Sequence, residues 1–106
     1  MLSEKEKPGL WGEIYAARFM RENGYAIITA NYRCRLGEID IIAKKDGFLV
    51  FTEVKTRSPG AIAPGREAVG SAKQERIIET ASLFMQKNNY DLQPRFDVAE
   101  VTLGKE

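Results

Sequence analysis

The stretch from Gly37 to Arg57, GEIDIIAKKDGFLVFTEVKTR, leaves this chain few ways to fold. At its centre, KKDG sets Asp46-Gly47 between two runs of β-formers. That dipeptide is among the best two-residue hairpin turns, because both of its positions tolerate positive φ. The flanking segments, Glu38 to Ala43 and Phe48 to Val54, are therefore expected to be neighbouring antiparallel strands. Their Ile, Val and Phe content suits burial, yet Asp40, Glu53 and Lys55 interrupt them. Charges inside a sheet cost on the order of several kcal/mol unless something pairs them.

The turn sets which residues meet. If Asp46-Gly47 is the whole turn, Asp40 faces Glu53 and Glu38 faces Lys55. The period of two then puts Asp40, Glu53 and Lys55 on one patch of sheet. The alternative is a slip of two residues, with Gly47-Phe48 as a type II′ turn. It would set Asp40 against Lys55 as a plain ion pair, at the expense of exposing the apolar Phe48. In the first register two carboxylates stand with Cβ atoms about 5 Å apart, which is destabilising without a cation between them. A hard divalent ion such as Mg²⁺ or Mn²⁺ takes oxygen ligands and keeps several waters, which suits such a pair. With the Lys55 ammonium beside it, the set matches metal-assisted phosphodiester hydrolysis.

The rest of the chain supports one α/β domain over residues 1–106. Residues 1–8 read as a loose polar arm. Gly9 to Asn23 suits a helix with Gly24 as its C-terminal cap, and Glu13 falls among Ala16, Ala17 and Met20 on the apolar side. Tyr25 to Tyr32 is a candidate first strand. After SPGAIAPG, whose prolines and glycines forbid regular structure, Glu67 to Lys87 is helical in pattern and Phe96 to Leu103 closes as a strand. Short links make the first three strands antiparallel neighbours, and the helical crossover favours a parallel, right-handed return of the fourth. The expected fold is a mixed β-sheet flanked by helices, in the order α-β-β-β-α-β.

Several chemistries are excluded. The chain has no His and a single Cys34, so the usual Cys/His zinc sites, Ser-His and Cys-His nucleophile pairs and an intrachain disulfide are all ruled out. The balance of 16 basic to 15 acidic residues is not the footprint of a strongly basic nucleic-acid binder. No window approaches the ~20 apolar residues of a membrane span, and MLSEKEKP lacks the apolar stretch of a secretory signal. The expectation is a soluble, cytoplasmic protein.

Asp40, followed after a hairpin by Glu53-Val54-Lys55, resembles the PD-(D/E)xK nuclease signature, and Glu13 resembles the extra helix-borne acidic ligand of the Holliday-junction-resolvase branch. More closely, GEIYAARFM, NYRCRLGEIDIIA, FTEVKTR and RFDVAEV together resemble the YraN family of small bacterial predicted endonucleases, over nearly the whole chain. The resemblance implies a restriction-endonuclease-like fold and a Mg²⁺- or Mn²⁺-dependent nuclease, with Asp40, Glu53 and Glu13 as metal ligands and Lys55 completing the catalytic set. Thr52 departs from the aliphatic residue more typical there, and Ile39 stands before Asp40 where the nuclease motif has proline. The expected substrate is DNA, including branched or damaged forms. The alternative is a nucleic-acid-binding module that keeps the fold without catalysis. The basic residues Arg33, Arg35, Lys55, Arg57, Arg66, Lys73 and Arg76 bracket the site in sequence; of these Arg33, Arg35, Arg57 and Lys73 are the candidate phosphate contacts, with Arg57 foremost and Lys73 approaching from the second helix. Glu38 is assigned a structural role through Lys55 or Arg35. Cutting both strands takes two active sites, which leaves room for a homodimer.

Overall fold

The computed structural model describes residues 8–57 and 70–102. The N-terminal arm up to residue 7, the Ser58–Gly65 loop, Arg66, the expected start of the second helix at Glu67 and the expected end of the last strand at Leu103 lie outside the described residues. The elements run α1 (Pro8–Glu22), β1 (Ala26–Cys34), β2 (Gly37–Lys45), β3 (Phe48–Arg57), α2 (Ser71–Asn88) and β4 (Gln93–Thr102). This is the expected order.

Pro8 opens α1, where a missing N–H leaves no helical carbonyl unanswered. The helix stops because Gly24 turns left-handed at φ 92°, letting its N–H reach the Arg21 carbonyl (3.2 Å) and the Tyr25 N–H reach that of Met20 (3.0 Å). The β2–β3 turn is the two-residue one, with Asp46 at φ 51° and Gly47 at φ 84°. The slipped register is thereby excluded: Lys45 lies opposite Phe48, and Ile41 opposite Thr52. The strands form one four-stranded sheet in the order β1-β2-β3-β4, antiparallel except for the parallel pairing of β3 with β4.

Strand ends differ from the sequence-based expectation for tertiary reasons. β3 runs past Val54 to Arg57, because β4 pairs with it continuously from Phe48 beside Gln93 to Arg57 beside Thr102. Backbone pairing on that side carries the charged ExKTR segment in strand form, despite its poor β-propensity. β1 likewise extends to Cys34, through a register shift between Ile27 and Thr29 and a left-handed Asn31 at φ 56°.

Two apolar clusters sandwich the sheet. On one side Ile39, Ile42, Leu49 and Phe51 pack with Ala81 and Phe84 of α2. On the other, Ile41 and Ala43 pack with Ala16 and Met20 of α1. Ile41, Ile42 and Leu49 are fully buried, and each such side chain stabilises the fold by about 2 kcal/mol. Trp11 and Tyr15 lie ring to ring at 6.2 Å at the margin of this packing, with Tyr15 exposed. Asp97 makes a local contact, accepting two hydrogen bonds from Arg95. Among the described residues no helix is long and apolar enough to cross a membrane.

Candidate active site at the strand fork

The β2–β3 ladder ends at Ile41 and Thr52, one pair short of Asp40 and Glu53. Beyond that point β2 pairs only with β1 and β3 only with β4, so the sheet opens into a fork. Ile39 packs on the α2 side and Ile41 on the α1 side. Residues two apart on a regular strand share a face, so alternation is broken across Asp40. The break has a partner: the Val54 N–H, which a continued ladder would direct at the main chain of Ile39, donates to Asp40 Oδ2 at 2.7 Å.

Asp40 is held at an electrostatic cost. Its carboxyl is pushed up from 3.8 to about 6, chiefly by burial and further by the charges of Glu53, Glu13 and Glu38, with the Val54 N–H acting in the opposite direction. The two expected metal ligands other than Asp40 itself are thus both close enough to act on it. Among the described residues, however, no group of three acidic side chains forms a ready ligand cage. The hard-oxygen donor set still fits Mg²⁺ or Mn²⁺, since Mg²⁺ is commonly held by one or two carboxylates plus water and substrate phosphate.

Each remaining residue can be placed. Glu53 is mostly buried, at 15% exposure, and its Oε2 accepts from Lys73 Nζ at 2.8 Å. Lys73 therefore does approach the site, but as the ion-pair partner of a candidate ligand rather than as a free phosphate contact. Lys55 is half-buried beside Glu100 of β4 and has no ion pair among the described residues. The expected opposition of Glu38 and Lys55 does not form, because the strands have already parted; Glu38 pairs instead with its β1 neighbour Arg33 at 3.2 Å. Arg57, foremost of the expected phosphate contacts, is turned to Glu100, with its Nε 2.9 Å from Oε2. Arg35 is exposed in the short connection between β1 and β2.

Glu13 reaches the fork because of its neighbour Gly12, which the sequence reading did not single out. Gly12 is buried, and a Cβ there would collide with Thr56 Oγ1. The missing side chain lets α1 sit directly on β3, which brings the next residue toward Asp40. A glycine inside a helical pattern was the available signal, since it costs about 1 kcal/mol against alanine and so points to a packing reason. The buried hydroxyls of Thr56 and Thr52 have no hydrogen-bond partner among the described residues.

A profile of the uncharacterised protein family UPF0102 matches residues 12–101. The chain belongs to UPF0102. A UPF0102 protein of Clostridium botulinum (strain Loch Maree) is 45% identical over 98 residues, covering 91% of this chain and 80% of the relative. One from Caldanaerobacter subterraneus is 40% identical over 103 residues, covering 96% and 84%. One from Lachnoclostridium phytofermentans is 46% identical over 96 residues, covering 89% and 81%. The span matched by the UPF0102 profile begins at Gly12 and takes in Glu13, Asp40, Glu53 and Lys55, so the whole fork lies within the part that defines the family.

Proposed function

We propose that this protein is a Mg²⁺- or Mn²⁺-dependent nuclease that hydrolyses phosphodiester bonds in DNA, with branched or damaged DNA as the favoured form. One observation carries the reading: at the point where β2 and β3 part, Asp40 is burdened first by burial and then by the charges of Glu53, Glu13 and Glu38. A site strained in this way favours a cation. Asp40 and Glu53 would hold it, with Glu13 as the third carboxylate. When bound, such an ion polarises a phosphoryl oxygen and lowers the pKa of a coordinated water. Lys55, two residues beyond Glu53 on β3, supplies an ammonium that is not paired among the described residues and can stabilise the charge growing on the phosphate oxygens. The Val54 N–H fixes one Asp40 oxygen, and the carboxylate so oriented would help to hold the cation.

The test is cleavage of branched, nicked and linear DNA with and without EDTA. Loss of cleavage on chelation and in both Glu53→Ala and Lys55→Ala, with far-UV circular dichroism unchanged, supports the proposal. Activity that survives both chelation and Glu53→Ala overturns it.

A second reading rests on the ion pair between Lys73 and Glu53, which occupies a candidate ligand oxygen. On this reading the protein binds nucleic acid without cutting it. It then shows affinity that falls steeply with salt and no turnover in any divalent ion.

A further inference from the structure

Beside the fork, between the β1–β2 connection and α2, lies a cleft of about 490 Å³ lined by Arg33, Gly37, Glu38, Lys73, Arg76 and Ile77. Gly37 makes the cleft narrow. At φ 155° it holds a conformation that other residues rarely adopt, and a Cβ on it would stand 3.0 Å from Thr80 Oγ1 and 3.7 Å from Cβ of Arg76. The Arg76 carbonyl accepts from Thr80 Oγ1 at 2.7 Å, a bond within α2 that keeps the Thr80 hydroxyl turned along the helix at this contact. Three cations from two elements thus face one opening. Arg33 is matched by Glu38 within an ion pair whose side chains are both more than half exposed, so the pair is weak and readily exchanged. Arg76 has no ion pair among the described residues.

Lys73 belongs to both places. It lines the cleft and also holds Glu53. An anion in the cleft competes with Glu53 for Lys73, and a divalent cation at the fork competes with Lys73 for Glu53. Each ligand removes the same obstacle for the other, so their affinities must be coupled, and by linkage the coupling is reciprocal.

We infer that the cleft seats the phosphodiester backbone of a DNA strand, and that Lys73 passes from Glu53 to that backbone on binding, so that strand and divalent cation bind cooperatively. The arginine forks of Arg33 and Arg76 match paired phosphate oxygens. An acidic peptide would meet the same arginines, so whether polyglutamate displaces the strand decides between the two occupants. The inference rests on the cation reading of the fork but not on turnover.

Two measurements on the full chain test it. The first is fluorescence anisotropy with a labelled single-stranded oligonucleotide in EDTA. Arg76→Glu and Arg76→Gln should weaken binding, the former by about tenfold or more, and lower the log–log salt slope by about one. Arg18→Glu, an exposed charge reversal on α1, should change it less than about twofold. The second is Mn²⁺ titration by electron paramagnetic resonance in a Lys55→Ala background, which keeps the strand intact. Saturating oligonucleotide should tighten Mn²⁺ binding about fivefold or more. Adding Lys73→Met should tighten Mn²⁺ binding without the strand and shrink the strand's effect about twofold or more. Equal losses from Arg76→Glu and Arg18→Glu, Mn²⁺ affinity indifferent to the strand, or displacement of the strand by polyglutamate at equal charge concentration would each overturn the inference. Coupled binding with no cleavage in any divalent ion would sink the nuclease reading and leave this one standing.

Discussion

The two ends of the β2–β3 hairpin are built from the same pair of strands but held by different things. At the turn end, four consecutive residues suffice: Lys45 meets Phe48, and Asp46 and Gly47 take the left-handed conformations that a two-residue turn requires. At the fork end nothing local closes the structure. The ladder stops, an Asp40 carboxylate oxygen answers a main-chain N–H, and Glu13 from α1 and Lys73 from α2 complete the surroundings. The turn end keeps every residue in a low-energy conformation. The fork end keeps a carboxyl that holds its proton more tightly than a free side chain does. The lesson of the contrast is that register is a local property, whereas the surroundings of a buried carboxyl are assembled from elements distant in sequence.

The contrast can be broken from either end. The largest expected effect is on activity at the fork: Asp40→Asn should lower DNA cleavage about a hundredfold or more, measured as single-turnover rate. The same substitution should leave the cation-free protein as stable as the parent or more so, because it removes a buried charge among like charges. A drop in urea midpoint for Asp40→Asn would mean that the Val54 hydrogen bond outweighs the repulsion. Next comes Gly12→Val, which forces a side chain against Thr56 and should destabilise the fold by about 3 kcal/mol in urea titration, as overpacking at a tight contact does. It should also move Glu13 away from the fork, so activity per folded molecule should fall as well. By contrast Gly47→Val at the turn, where φ is 84° and no atom lies within 4 Å of an added Cβ, should cost about 1–2 kcal/mol of backbone strain. It should leave cleavage per folded molecule unchanged. If Gly47→Val lowers that cleavage as much as Gly12→Val does, the two ends are not independent.

The smallest effect sharpens the comparison by pH. Asp40 has a folded value of about 6 against 3.8 for the free side chain, so the folded state binds the proton more tightly than the unfolded state does. The favourable contribution is therefore fully present below pH 3.8 and is lost as the pH rises through about 6. The full shift would amount to about 3 kcal/mol, and solvent screening of a partly exposed group reduces it to about 1 kcal/mol. Urea midpoints of the parent should accordingly decline across this window relative to Asp40→Asn, and added Mg²⁺ should remove the decline. A decline that persists at saturating Mg²⁺ would place the ion somewhere other than Asp40.

Much of this molecule was legible before its coordinates. The turn, the register down to Ile41 and Thr52, the cap at Gly24 and the parallel return of β4 follow from turn chemistry, alternation and connection lengths. Glu13 betrayed itself as a charge among Ala16, Ala17 and Met20, and its charge does act on Asp40. Lys55 and Arg57 were legible as residue types but not in their partners. The expected match of Lys55 with Glu38 assumed that the ladder continues, and Glu100, the partner of Arg57, arrives only with the last strand. Arg76 stood among many surface charges until Gly37 brought its helix turn against the β1–β2 connection.

By itself the sequence determined the hairpin and the neighbourhood of its charges, because φ preferences and the period of two act within a few residues and admit few solutions. Only the tertiary structure decided that the strands part at Asp40, that Glu53 is answered by a lysine 20 residues further along, and that the same lysine borders a basic cleft. Ion-pair partners are chosen by distance in space. Over a separation of that length the chain could place either end of a helix beside Glu53, and the choice falls to the packing of Phe84 and Ala81 on the sheet, which seats α2 and brings Lys73 with it.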